Sequence, residues 1–258
     1  MLNFRNTGIF LLALTALLVA AGYLTHPLPK ILYAAPLAVY GLLLVYGSCT
    51  IGSGFYCKVL CGAPTDRKVI ALSFDDGPSA AHTPRILEIL QRSGTEAAFF
   101  CIGKRVDDHP ALAGQIHREG HLIGNHSYSH HFWFDLFSSR AMRSDMGQAD
   151  SSIEKATGLR PRLFRPPYGV TNPNLARAIR RGGYIPVGWN VRSLDTVAGD
   201  PEKLLARVLS RIRPGAIVLF HDTSGATAGM LEQFIGKVKS DGYQVMRLDK
   251  MLNLSPYA

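Results

Sequence analysis

Several features are scarce in this 258-residue sequence, and each scarcity excludes something. There are only four cysteines, Cys49, Cys57, Cys61 and Cys101, and no two stand in a C-x-x-C pair, which argues against a zinc ribbon. Three of them crowd just after an apolar run. A Cys57–Cys61 or Cys49–Cys57 disulfide would imply an oxidising compartment, and free thiols are the alternative. Acidic residues are also few: 19 Asp and Glu stand against 28 Lys and Arg, a net charge of +9. That balance suits anionic partners such as phospholipid headgroups or a glycan bearing phosphate or carboxylate. Nucleic acid is not expected, because the basic residues are scattered. Their main cluster, Arg177, Arg180 and Arg181, reads as a solvated helix face. Internal repeats and low-complexity segments are absent, leaving one domain with a sizeable core.

Charge is missing altogether from two stretches near the start, Gly8–Leu24 and Ile31–Gly47, seventeen residues each. They are joined by "THPLPK". Two such runs with a tight proline-containing link predict a membrane hairpin over residues 1–48. A cleaved signal peptide would account for the first run, with Arg5 as its charged flank and "VAAG" as a small-residue site, but the second would still anchor the chain. Residues 49–66 read as a connector. From residue 67 to 254 short apolar runs alternate with segments of helical periodicity. The runs are "VIALSF", "EAAFFCI", "HLIGNH", "RLFRPP", "YIPVGWNV", "AIVLFHD" and "YQVMRL". The helical segments carry stop and start signals: Gly94 and Gly120 as terminators, Thr171 or Asn172 as a cap, Asp200 as N-cap with Pro201 at the first helical position. Seven alternations predict an α/β fold, a closed or nearly closed (β/α) barrel, with an open doubly wound sheet as the alternative.

Reactive residues gather at the C-terminal ends of these runs. They include Asp75-Asp76, "NHSYSHH", "RPPYG", "WNVRSLD" and His221-Asp222. In a parallel barrel those ends share one mouth, where active sites form. His126 and His130 are four apart, so a helical turn would point both imidazoles to one side. Two His and one carboxylate leave a coordination position open. His131 is the fallback ligand. Adjacent aspartates at a buried strand end then make sense: a divalent cation neutralises one and leaves the other beside an acidified water as a base.

"SFDDGP", "HSYSH", "RPPYG" and "VLFHD", in this order, resemble the motifs of the polysaccharide deacetylases of carbohydrate esterase family 4, the NodB-homology domains. The resemblance covers roughly Arg67 to Leu252. It implies a distorted (β/α) barrel and removal of N- or O-acetyl groups from sugars with a divalent metal, commonly Zn2+, with Co2+, Mn2+ or Ni2+ as alternatives. It further implies Asp75 as catalytic base and Asp76, His126 and His130 as metal ligands. His221 would be the general acid paired with Asp195, Arg165 would orient Asp75, and the Tyr168 N–H would stabilise the oxyanion. Leu219 would line the pocket for the acyl methyl.

One motif departs from the family. Where a D-x-x-D-W pattern is usual, "RSLDT" keeps Asp195 but has Arg192 for the first aspartate and Thr196 for the tryptophan. Trp189 is the candidate replacement for the lost sugar-stacking ring, and Arg192 adds a donor for phosphate or carboxylate. The substrate expected is therefore an N-acylated envelope glycan, with an anionic or lipid-linked amino sugar favoured over a neutral polymer. Charge counts around the hairpin lean towards both ends in the cytoplasm. Family habit and the cysteines lean the other way, and an extracytoplasmic catalytic domain is the expectation. Non-haem iron oxygenases share the ligand set, but the strand–helix alternation argues against their β-sandwich. A catalytically inactive, membrane-anchored glycan-binding protein is the other alternative.

Overall fold

A computed structural model describes residues 3–258. It opens with two apolar helices, α1 (Phe4–Leu24) and α2 (Lys30–Cys49). The Asn3 side chain caps α1 by accepting the Asn6 N–H. The helices pack on one another with little of their surface buried, and both are long and apolar enough to cross a membrane. The α1 start and the α2 end lie on the same side: Phe4 N–H donates to Phe55 O, and the end of α2 meets Thr171.

The remainder alternates strand and helix: β1 (Val69–Asp75), α3 (Thr83–Arg92), β2 (Ala98–Cys101), α4 (Gly103–Asp108), α5 (Pro110–Arg118), β3 (Leu122–Asn125), α6 (Ser139–Thr157), β4 (Leu163–Phe164), α7 (Pro173–Gly182), β5 (Ile185–Pro186), β6 (Val191–Arg192), α8 (Pro201–Leu209), β7 (Ala216–His221), α9 (Gly225–Ser240), β8 (Gln244–Val245) and α10 (Leu248–Leu252). Asn172 caps α7, and Asp200 caps α8 with Pro201 at its first position, as expected. All strand pairs are parallel, in the order β5-β4-β3-β2-β1-β7-β6, with β8 beside the first residues of β1. β1 is buried along its whole length, the mark of a parallel strand covered on both faces.

Pleating sorts its side chains. Ile70, Leu72 and Phe74 join Phe99, Phe220 and the inner faces of α3 and α9 in the larger core. Ala71 points into the curl of the sheet with Phe100, Leu163 and Ile217, and Ser73 and Asp75 share its side by the two-residue period. The register sets Asp75 level with Phe100 on one side and His221 on the other, so the chemistry-bearing strand ends emerge together.

One expectation needs correction. The "YIPVGWNV" run is two strands, because the chain bends at Val187–Asn190 and crosses from one edge of the sheet to the other, giving eight strands. β5 and β6 do not pair, so of the closed and nearly closed barrels expected the sheet is the incompletely closed, distorted one, a curled half-barrel. The connector fills the seam. Leu60 N–H donates to Pro186 O at 3.0 Å, Gly188 N–H to Leu60 O at 2.9 Å, and Ala63 N–H to Gly215 O at 2.9 Å. Gly188 is needed there, since a Cβ would come within 2.8 Å of Cys61 Sγ. No disulfide forms, as all four cysteines are free thiols.

Candidate active site

Asp75 ends β1 almost fully buried, a costly place for a carboxylate without a partner. Arg165, wholly buried after β4, supplies one: Nη1 donates to Asp75 Oδ1 at 2.6 Å and to Ser73 Oγ at 2.9 Å. Its other nitrogens donate to Val187 O and Gly188 O, and the guanidinium stacks 4.0 Å from the Phe100 ring centroid. Every face of this cation is spoken for, which fixes where it holds Asp75.

Asp76 turns out of the strand in the left-handed region (φ 75°). Its Oδ1 lies 3.5 Å from Nε2 of both His126 and His130. His126 follows β3, and its Nδ1–H donates to Arg165 O at 2.8 Å. A carbonyl only accepts, so Nδ1 carries a proton and Nε2 is the nitrogen that faces Asp76. The four-residue spacing works by a different route from the helical turn expected. Residues 126–130 form a loop with Ser127 at φ 64° and His130 at φ 42°. It is held because Ser127 N–H donates to Asn125 Oδ1 and His130 N–H to Ser127 Oγ. His131, the fallback ligand, turns away: its Nδ1 accepts the Trp133 N–H and its ring packs near Phe137.

The donor set fits a divalent cation. One ligand atom each from Asp76, His126 and His130 lie within 4.8 Å of one another. Burial pulls the His130 imidazole down to about 4, helped by the His126 charge, so near neutral pH it is an uncharged ligand. Burial works against a charged Asp76, but the His126 hydrogen bond and charge, with His221 behind them, outweigh it and hold the carboxyl well below its usual range. Two imidazoles and one carboxylate leave positions open to other oxygens.

Across the cavity His221 ends β7. Its Nδ1–H donates to Asp195 Oδ1 at 2.7 Å. Asp195 is locked by Ser193 Oγ, by the Thr227 hydroxyl and by the His221 N–H. Burial lowers the His221 pKa, but the Asp195 hydrogen bond and charge outweigh it and leave it raised. Between the two halves lies a cavity of about 200 Å³, lined by Asp75, Asp76, His126, His130, His221 and Leu219, with Pro166, Tyr168, Trp189, Arg192 and Thr196 around them.

Three comparisons bear on this arrangement. The polysaccharide deacetylase family model matches residues 62–187. A peptidoglycan-N-acetylglucosamine deacetylase of Bacillus cereus is 32% identical over 194 residues, 73% of this chain and 90% of that protein. The chain belongs to the polysaccharide deacetylase family. Peptidoglycan-N-acetylglucosamine deacetylase PgdA of Listeria monocytogenes is 34% identical over 184 residues, 71% of this chain, and the chain spans only 39% of that longer relative. The solved structure of the Bc1960 peptidoglycan N-acetylglucosamine deacetylase superposes with a TM-score of 0.74 at 26% identity, covering 78% of this chain and 95% of that one.

In this member of the polysaccharide deacetylase family the residues picked from the sequence, His131 apart, lie at or directly behind one cavity. Tyr168 sits at the rim, 45% exposed, in the left-handed region (φ 58°). Trp189 lies against Gly169, where an added Cβ would come within 2.6 Å of the ring, and the guanidinium carbons of Arg165 and Arg192 each stand 5.7 Å from its centroid. Supporting residues went unseen in the sequence. Ser73, Asn125, Ser193 and Thr227 are small polar residues in apolar strands or helix starts, and that placement was the signal available. In the sequence Asp222 stands out only as a strand-end residue. It is buried beneath Gly77 and accepts the Thr83 hydroxyl at 2.6 Å, and burial pushes its carboxyl up to about 7.

Proposed function

We propose that this chain is a metal-dependent hydrolase that removes N-acetyl, or a similarly small acyl group, from an amino sugar of an envelope glycan. The observation that carries the reading is the convergence of Asp75–Arg165, the Asp76/His126/His130 triangle and Asp195–His221 on one small cavity. Asp76, His126 and His130 would hold a divalent ion, Zn2+ first among Co2+, Mn2+ and Ni2+. When bound, such an ion supplies positive charge that polarises an acyl oxygen and acidifies water.

The chain's own residues do the rest. Asp75, with Oδ1 occupied by Arg165, has Oδ2 free to take a proton from the attacking water. The Tyr168 N–H, aimed by the rigid Pro166-Pro167 turn, donates to the oxygen that gains charge at the acyl carbon. His221, kept protonated by Asp195, gives its proton to the sugar nitrogen as the C–N bond breaks. Water oxygen ends on the acyl carbon, and acetate and a free amine leave. Leu219 forms the wall for the acyl methyl, and Trp189 and Arg192 contact the sugar. Arg192, in place of a family aspartate, favours a substrate bearing phosphate or carboxylate. α1 and α2 anchor the domain in the membrane, with the catalytic part on the extracytoplasmic side.

Acetate release by the detergent-solubilised protein, loaded with Zn2+, from N-acetylated glycan oligomers and from peptidoglycan tests the reading. Asp75→Asn is expected to lower the rate by about 10²–10⁴-fold, the usual contribution of a positioned base. Binding of the same glycans by wild type with no release of acetate or formate would overturn it in favour of the inactive glycan-binding alternative.

A further inference from the structure

The loop between the metal-ligand candidate His130 and α6 exposes large apolar side chains that the chemistry described above does not use. Phe132, Trp133 and Leu136 are 67%, 55% and 70% exposed. Phe132 reaches the rim of the cavity, its ring 6.3 Å from Tyr168, which stands 4.7 Å from His130; Trp133 packs 4.6 Å from Phe132, and Leu136 follows with its N–H donating to Trp133 O at 3.0 Å. A contiguous apolar patch on such a rim marks a contact surface.

The structure also says what lies next to it. Thr171 N–H donates to Ser48 O at 3.1 Å and its Oγ1 donates to Gly47 O at 2.9 Å, so the residue is fastened to the last turn of α2. Its neighbour Asn172 donates through Nδ2 to Asp135 O at 2.6 Å, in the middle of the exposed loop. One dipeptide therefore ties the end of a membrane-length helix to the aromatic rim. Tyr168 lies three residues before Thr171 on the same segment.

We infer that Phe132, Trp133 and Leu136 seat in the headgroup region of the bilayer, so that the catalytic cavity opens at the membrane surface. Trp133, with an apolar ring and a polar N–H edge, favours that zone, and Phe132 and Leu136 add apolar surface beside it; the net charge of +9 suits anionic lipid. The inference rests on the membrane-anchor reading and deepens it. The enzyme would draw on acylated amino sugars presented at the bilayer, and glycan strands held farther out would be poorer substrates.

The chain has only two tryptophans, Trp133 on the rim and Trp189 in the cavity wall, which makes the test direct. Full-length Trp189→Phe protein would be reconstituted into phosphatidylglycerol/phosphatidylcholine vesicles, with and without phosphatidylcholine brominated near the head of its acyl chains. Bromolipid is expected to quench Trp133 emission and the vesicles to shift it to the blue. Alkaline extraction of the same vesicles reports the anchor separately. A chain that resists extraction but shows unquenched Trp133 overturns the rim, and a chain that washes off overturns the anchor and the rim together. Quenching by soluble chitooligosaccharide in place of bromolipid would assign the rim to glycan and also overturn the inference. In a second arm, the Trp133→Ser/Leu136→Ser variant should keep acetate release from soluble oligosaccharide. It should lose at least about tenfold on an N-acetylated glycolipid in the same vesicles, the scale of losing even one of the two buried apolar side chains. Equal loss on both would mean that the loop merely supports the site, and loss of neither would remove the rim from function. Acetate release by wild type from the soluble substrate stands or falls independently of either arm.

Discussion

His221 shows how a single residue's surroundings set its chemistry. Its Nδ1 proton is committed to Asp195, leaving Nε2 to face the cavity. Asp195 accepts from Ser193, Thr227 and the His221 backbone as well, so its carboxylate is held ionised although buried. The charge beside the ring raises the His221 pKa. In the proposed role of general acid His221 works only while protonated, so activity should be present below that pKa and lost as pH rises through it. Asp195→Asn keeps an oxygen acceptor but removes the charge, so the His221 pKa should fall. The alkaline limb of the kcat/KM–pH profile should then move to lower pH, with a smaller maximal rate. A limb that stays where it is in the variant would take His221 out of the acid role. The same raised pKa means that the ion pair stabilises the fold fully below the unfolded imidazole's pKa, and that this contribution disappears as pH rises through the folded value.

At the scale of elements, the end of β3 is the most informative piece. Asn125 is fully buried, and its Nδ2 donates to Met146 O and Asp150 Oδ1, both on α6, at 2.7 Å. Its Oδ1 accepts the Ser127 N–H and bends the chain into the loop that brings His126 and His130 face to face. Tyr184, before β5, donates to the other oxygen of Asp150 and extends the network across the fold. Asn125→Ala should cost about 1–3 kcal/mol in urea unfolding, the scale of buried groups left without partners. It should also weaken Zn2+ or Co2+ binding by roughly 10–100-fold, as removing an outer support of metal ligands does. Unchanged metal affinity would mean that the loop holds its shape without Asn125.

That loop also shows what a reader of the sequence can and cannot see. The strand ends were legible, because buried parallel strands are unbroken apolar runs and any acid or histidine closing one stands out. That one of the paired aspartates would meet His126 and His130 followed from placing those ends at one mouth; that it is Asp76 came from the family resemblance. The positive φ values of Ser127 and His130 were not legible, because neither residue type announces them as glycine would. The spacing therefore suggested a helical turn. β4, β5 and β6 have two residues each, too short for any periodicity, so the break at Val187–Asn190 was hidden inside one apparent run. Arg165 was picked for its motif, but the depth at which it is buried, against Phe100 and two backbone carbonyls, depends on residues far away in sequence.

For the whole molecule, the seam between β5 and β6 gives the connector a structural role that its composition conceals. A half-barrel with two unpaired edges exposes backbone groups to water or to other chains. Leu60 satisfies Pro186 O and Gly188 N–H, Ala63 satisfies Gly215 O, and Ile51 and Cys61 pack against Gly188. The family match begins at residue 62, inside this segment and ahead of the first strand. The connector is therefore both a tether to α2 and the closure of the barrel next to Trp189 and Arg165. Chains starting at residue 50 and at residue 67 separate these two roles. Both lack the helices, but only the second leaves three backbone groups at the seam without partners. At about 1 kcal/mol for each, the shorter chain should melt roughly 6–12 °C lower. Its acetate release from soluble oligosaccharide should fall as Val187 and Gly188 lose their hold on Arg165. Equal Tm for the two would make the connector a passive linker, and the barrel would then have to close its seam with Val187–Asn190 alone.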